Sequence, residues 1–380
     1  VAAALLSDAW RVLLFLIGLI VYYSIPGKEM QSPIGKTEII NREYHFPEKW
    51  YMIFTCLYGG RSILSGIYDI PAKLKPAYVP FLWGGTLLRD ALGKDIPADD
   101  IGESWEVSAH PRAQSIIASG PAMGMTLSEY AAGRDFYGCN PPEKFPLLIK
   151  FLGPKDNLSV QVHPSDGDCN PGESGKAEAW YVVACPVGAE LIYGINGSKE
   201  DFAQTMAAGD MESSLRRLAV RPGDVLDIPA GMVHALTAGV VVYEVQQNSD
   251  TTYRLYDWGR VDAATGKPRA LHIGDALRVI RSDGGRGPVK GVARVEENGT
   301  RMAYIRNPRF TLEKIEICGS FTDAFAGGFA AYSVIRGGGS VMKDGKTCFD
   351  VSLGDSFISP AAAGAVRLEG DMALLKAYVP

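Results

Sequence analysis

The chain has 380 residues, enough for two or three domains of ordinary size, and is 47% hydrophobic and 21% charged, the make-up of a folded globular protein and not of a disordered tail. Its net charge of −5 comes without any long lysine or arginine block, which argues against a nucleic-acid surface. Six scattered cysteines, none in CxxC spacing, argue against a thiolate metal site and read as reduced thiols in a cytoplasmic protein.

Val12 to Ile25 is almost continuously apolar, yet about fourteen residues fall short of a membrane-spanning helix. Three readings of this stretch are open: an extension absent from the working protein, a signal segment or membrane anchor, or a packed helix. Membrane contact is expected only if 12–25 is retained as an anchor. Residues 1–70 are therefore set apart as an N-terminal hydrophobic extension.

From about Pro71 the many glycines and prolines separate short apolar runs, which predicts strands joined by tight turns. Leu87 to Asp90 begins a short helix, and Glu103 to Ser108 reads as a strand because Trp105 and Val107 alternate with polar residues. Thr126 to Arg134 is a short helix with Thr126 as N-cap and Glu129 in capping-box spacing. Strands follow at Phe145–Leu152, Leu158–Val162, Ala179–Ala184, Glu190–Tyr193, Val225–Ile228, His234–Thr237 and Val240–Gln246. Between them, 197–218 reads as an inserted helical pair, capped by Ser198 and broken at Gly209-Asp210. Ile273 to Arg281 is one more helix, Asp283 to Pro288 marks a linker, and a second set of short strands runs from about Arg309 to the end.

Gly223 to His234 has an internal echo at Gly354 to Ala361, with proline six residues after glycine in both copies. Five residues beyond each proline stand His234 and Ala365, respectively. Two similar barrels are expected, with ligands kept only in the first.

Gln161 and His163 are two apart, so on a strand they face the same side. Glu178 opens the next apolar strand, and His234 follows the proline-glycine turn. Two imidazoles with oxygen donors suit a borderline divalent cation, zinc foremost, with manganese, iron or cobalt as alternatives. Lys176 precedes Glu178 by two, and Arg254 closes the polar run Gln246 to Arg254. Cations beside a metal set fit a phosphate or polyol ligand.

Taken in order, Phe81-Leu82-Trp83-Gly84-Gly85, Gly102 to Pro111, Leu158 to Pro164, Gly175 to Tyr181, Pro229 to His234 and Gln246 to Arg260 resemble type I mannose-6-phosphate isomerases of the short bacterial form. The resemblance implies a mainly β protein of two cupin-type (jelly-roll) β-barrels with a small helical insertion. Residues 71–283 would be the catalytic metal-binding cupin domain, with the insertion near 197–218, and 289–380 a cupin-like domain lacking metal ligands. It implies one Zn2+ per chain on Gln161, His163, Glu178 and His234, an active-site Arg254, and Ser159, Lys176 and Glu244 bordering the substrate. Ala177 and Ala179 depart from the usual family residues but hold no ligand position.

The expected reaction interconverts mannose 6-phosphate and fructose 6-phosphate through an enediol or enediolate, supplying mannose for activated-sugar and glycan synthesis. Glu244 and Lys176 are the candidate bases, with metal-bound water a third. Arg254 would stabilise the oxyanion or grip phosphate. Two alternatives share the barrel: a cupin oxygenase, which needs a redox metal, and a non-catalytic sugar-binding cupin. The sequence leaves the oligomeric state open.

Overall fold

The structure, a computed structural model, describes residues 66–262, 265–281, 287–325 and 327–380. The apolar run Val12–Ile25 lies outside them. Among the described residues, no helix is long and apolar enough to cross a membrane.

Two antiparallel sheets make the first barrel. One has six strands in the spatial order Val225–Ile228, Glu178–Ala184, Val241–Gln247, Leu147–Leu152, Ile101–Val107 and Ala77–Gly85. The other has five, ordered Leu215–Ala219, Glu190–Ile195, His234–Ala235, Val160–Val162 and Tyr253–Tyr256. Alternation along each strand sorts the side chains. Val160 and Val162 face outward, under the helices Lys199–Ala207 and Ile273–Val279, in a layer with Phe202, Ala276 and Val279. Trp180, Val182, Leu226 and Val242 face inward and pack with Leu191 and Tyr193 of the other sheet. Their neighbours Ala179, Tyr181, Tyr243 and Val245 turn to the outer face of the six-stranded sheet.

That outer face is covered by the C-terminal half through Phe310, Leu312, Phe329 and Ile358. The C-terminal strands form a nine-stranded sheet that curls around Ile315, Tyr332, Val334, Phe357 and Leu374, the second cupin-type barrel. Ala72–Lys75 belongs to this sheet, pairing with Ser356–Ser359 on one side and Ile116–Ile117 on the other. Ile67 and Tyr68 are buried just ahead of it. Tyr68 donates to the Tyr130 carbonyl at 2.9 Å, and Tyr130 returns a bond to the Ile67 carbonyl at 3.0 Å.

Several local expectations change. The capping box at Thr126 and Glu129 is present, but the helix stops at Tyr130 and a second turn starts at Arg134. Ser198 caps one helix, Lys199–Ala207, with Asp201 completing a capping box. Its expected partner is a 3-10 turn at Met211–Ser214 followed by the strand Leu215–Ala219. Leu215 and Leu218 are three apart and imitate helical periodicity; pairing with Glu190–Ile195 overrides it. Ile101–Val107 is buried on both faces, so its apparent alternation does not mark a solvent side.

The second set of strands begins earlier, at Val292. The hairpin Val292–Glu296 and Gly299–Arg306 turns through Asn298 at φ 59°. Its first strand is largely exposed and carries little apolar pattern, which left Asn298-Gly299 as its main signal. The strands Thr311–Asp323, Ala330–Lys343 and Val366–Tyr378 are also long, at 13, 14 and 13 residues.

Candidate active site

The turn after Val225–Ile228 changes sheets. Ile228 pairs with Glu178 in the six-stranded sheet, and six residues later His234 pairs with Gln161 in the five-stranded one. Gly231 permits the crossing: it has φ 89°, and a Cβ there would lie 2.8 Å from the Val279 carbonyl oxygen. The turn thus carries His234 onto Gln161 and His163, which face inward opposite Val160 and Val162.

His163, Glu178 and His234 are all buried, with one donor atom from each within 4.8 Å of the others. Both rings are oriented from behind. His163 Nδ1 donates to the Thr251 carbonyl at 2.9 Å, and His234 Nδ1 to the Met232 carbonyl at 2.9 Å. These bonds place the Nδ1 proton away from the site and leave both Nε2 atoms on the side of Glu178, where Lys176 Nζ also donates to His163 Nε2 at 3.1 Å. His234 Nε2 lies 3.2 Å from Glu178 Oε1, and His163 Nε2 lies 3.5 Å from Oε2. Gln161 adds its amide 3.4 Å from His234 Nε2; turning that amide over would present its oxygen.

Neither Glu178 oxygen accepts a well-directed hydrogen bond, although Lys176 Nζ stands 3.0 Å from Oε2. A fully buried carboxylate left in this state is costly. Burial opposes its ionisation, but the Lys176 ammonium outweighs it and holds the carboxyl well below its ordinary value. Burial, then Lys176, keeps the His163 imidazole well below its ordinary value and so neutral. An ionised carboxylate flanked by two imidazole Nε2 atoms is the kind of donor set a divalent cation requires. The residues fit a metal.

Beside them lies a cavity of about 220 Å³ lined by Ser159, Gln161, Lys176, Glu244, Arg254 and residues the sequence did not single out, among them Lys150, Arg112 and Arg269. A larger cleft of about 800 Å³ shares Asp250 and Thr252 with it but none of the metal-site residues. The floor of the small cavity is one cross-strand row, Trp105, Lys150, Glu244 and Trp180, in register over four strands. Trp180 Nε1 donates to Glu244 Oε2 at 2.8 Å, while Oε1 has no directed partner and Lys150 Nζ is 3.4 Å from it. Burial, reinforced by Glu178, raises the Glu244 carboxyl. Burial pulls Lys150 down, but Glu103 and Glu244 outweigh it and hold the ammonium protonated. Ser159 Oγ reaches Gln161 Oε1 at 3.4 Å.

Arg254 pairs in register with Gln161, and its Nη1 donates to the Ala270 carbonyl at 2.8 Å. Its Nε is buried without a partner among the described residues. Burial, with Arg269 nearby, lowers its affinity for the proton. Arg112 lies over the Phe81 and Trp105 rings at 5.4 and 5.8 Å. Lys150 could have been noticed as the single charge in the apolar run Leu147–Leu152. Arg112 and Arg269 carry no comparable local signal.

The chain matches the model of the type I phosphomannose isomerase catalytic domain over residues 72–180 and that of the mannose-6-phosphate isomerase cupin domain over 300–379. It is 38% identical over 307 residues to the mannose-6-phosphate isomerase ManA of Bacillus subtilis, covering 79% of this chain and 96% of that one. It is 37% identical over 302 residues to the mannose-6-phosphate isomerase of Streptococcus mutans, covering 78% and 94%. The crystal structure of the Bacillus subtilis mannose 6-phosphate isomerase superposes with a TM-score of 0.77 at 37% identity, over 82% of this chain and all of that one. On this evidence the chain belongs to the type I mannose-6-phosphate isomerase family of cupin enzymes.

Proposed function

We propose that the chain interconverts mannose 6-phosphate and fructose 6-phosphate with a zinc ion held by His163, Glu178, His234 and Gln161. One observation carries the metal half of this reading: a buried carboxylate without directed hydrogen bonds, with two imidazole Nε2 atoms converging on it. The bound ion would supply Lewis-acid polarisation of the sugar carbonyl and its neighbouring oxygen.

The chain's own residues then divide the proton work. Glu244, which lines the cavity and whose carboxyl is raised by burial, takes the proton from C2 of the aldose and returns it to C1. Lys150, held protonated, is suited to orient Glu244 and to offset the charge that develops on the enediolate, not to act as base. Lys176 ends beside Glu178 and can donate to the substrate oxygens while a proton passes from O2 to O1. The C–H and O–H changes balance, and no external reductant is needed. We read 71–283 as the catalytic part and 289–380 as a barrel without ligands; the product would feed activated-sugar and glycan synthesis.

A coupled assay with mannose 6-phosphate, run before and after chelation and again with zinc restored, tests the assignment. Activity that is lost and then recovered is expected. Turnover that survives complete metal removal would overturn the metal assignment, and no turnover in zinc-loaded protein would overturn the isomerase one. Glu244→Gln should keep its metal and lose about 10²- to 10⁴-fold in kcat.

A further inference from the structure

Asp257 follows the strand that carries Arg254 and is 5% exposed. Its two oxygens accept from Arg269 Nε at 2.7 Å and Nη2 at 2.6 Å, a bidentate pair, and Arg260 Nη2 also bonds Oδ1. Arg269 lines the cavity, and its bonds to Asp257 run through Nε and Nη2. Arg254 also lines the cavity, with its Nε buried and its Nη1 tied to the carbonyl of the residue next to Arg269. Arg260 and Arg269 therefore share one carboxylate with the Arg254 guanidinium close by, which leaves a surplus of positive charge.

The backbone holding this arrangement is fixed from both ends. Trp258 has φ 58°, in the left-handed region that a bulky side chain rarely occupies. Trp258 Nε1 donates to the Leu158 carbonyl at 2.6 Å, and Arg260 Nη1 to the Asn157 carbonyl at 2.6 Å. Leu158 and the adjoining Ser159 are cavity residues, so the turn is clamped onto the cavity wall. The cavity's lysines are not equivalent to these arginines. Lys150 is engaged by Glu103 and Glu244, and Lys176 by Glu178. The cavity's other cations are Arg112, Arg254 and Arg269.

We propose that Asp257 is a positioning residue that holds Arg269 beside Arg254, so that the two guanidinium groups seat the phosphate of the substrate. This rests on the sugar-phosphate reading of the cavity. It adds which groups recognise the anion and what orients them.

The test uses the full-length zinc-loaded protein and the variants Asp257→Asn, Asp257→Glu, Arg269→Gln and Arg269→Lys. Asp257→Asn and Arg269→Gln are expected to raise KM for mannose 6-phosphate about 10-fold, the loss of one charge-assisted bond, with kcat changed less than about 2-fold. The constant for competitive inhibition by inorganic phosphate should rise in parallel, and Asp257→Glu and Arg269→Lys should recover part of both. Zinc content and thermal melts identify variants that fail to fold; for those the conservative variants decide. An unchanged phosphate constant in folded variants, or a loss confined to kcat, overturns the proposal. If the wild type proves not to isomerise the sugar, calorimetric titration with inorganic phosphate still decides. Weaker phosphate binding in Asp257→Asn supports the seat, whereas equal binding, or none in the wild type, refutes it.

Discussion

The two barrels bury charge in opposite ways. In the first, Lys150 sits in a cross-strand row between Trp105 and Glu244, and the next inward position along the neighbouring strand holds Glu178, whose oxygens lack directed partners. In the second, Lys376 sits in a similar row, between Glu313 and Tyr332. There, however, the charges are satisfied. Asp323 is 2.7 Å from Lys376 Nζ and 2.9 Å from Arg301, accepts from Tyr332 at 2.7 Å, and Lys376 lies 4.1 Å from the Phe325 ring centroid. A buried ionic row whose partners are complete is a structural element. One left incomplete beside a cavity is a site for something that completes it.

The sharpest way to break this comparison is to replace the incomplete carboxylate. Glu178→Gln removes a charged donor from the metal set, and activity should fall on the order of 10³-fold, several kcal/mol of transition-state stabilisation. Metal content by atomic absorption should fall with it. A variant that retained both metal and turnover would mean that the unsatisfied oxygens have no role in binding the ion.

The matching change in the second barrel should act on stability instead. Asp323→Asn leaves Lys376 with its carboxylate partner removed, at a cost of about 3 kcal/mol in denaturant unfolding, while kcat per folded molecule holds. Acid should erase the difference. Burial works against the Asp323 carboxylate, but Lys376 and Arg301 hold its pKa below 3.8, so its contribution is complete above that value and is lost as the pH falls through the lower folded value. Unfolding curves at pH 7, 5 and 3 should show a constant gap between wild type and variant from 7 to 5, narrowing at 3. A gap that widened in acid would contradict the pairing.

How much of this was legible in the sequence depends on how far each contact reaches. Gln161 and His163 could be read because a strand's period of two puts them on one face, and Thr126 and Ser198 because a cap is a local bond. Glu178 and His234 lie on strands of different sheets, and they were legible through the motifs around them and not through any local period. Lys150 stands out as the one charge in its apolar run, but its role appears only when the register brings Glu244 and the ion pair brings Glu103 to it. Asp257 and Arg269 are twelve residues apart and separated by a hairpin, so no local periodicity joins them. The strand Leu215–Ala219 was misread for a related reason, since edge pairing and not propensity decides its conformation.

The internal echo is where pattern and geometry part, and it provides the smallest expected effect. Ala365 occupies the sequence place of His234, yet Ala365 is exposed, whereas His234 is fully buried. The strand that follows begins at Val366, which is 1% exposed and pairs with Asp323. A shift of one residue along an extended chain exchanges its faces, so the two copies share a strand and a turn but not the direction of the residue that matters. Ala365→His should therefore change unfolding free energy by no more than about 0.5 kcal/mol, as at other surface positions, and leave metal per chain at the wild-type value. A second equivalent of zinc in that variant would show that the second barrel lacks only a histidine. The filled row around Lys376 argues that it lacks the open interior as well.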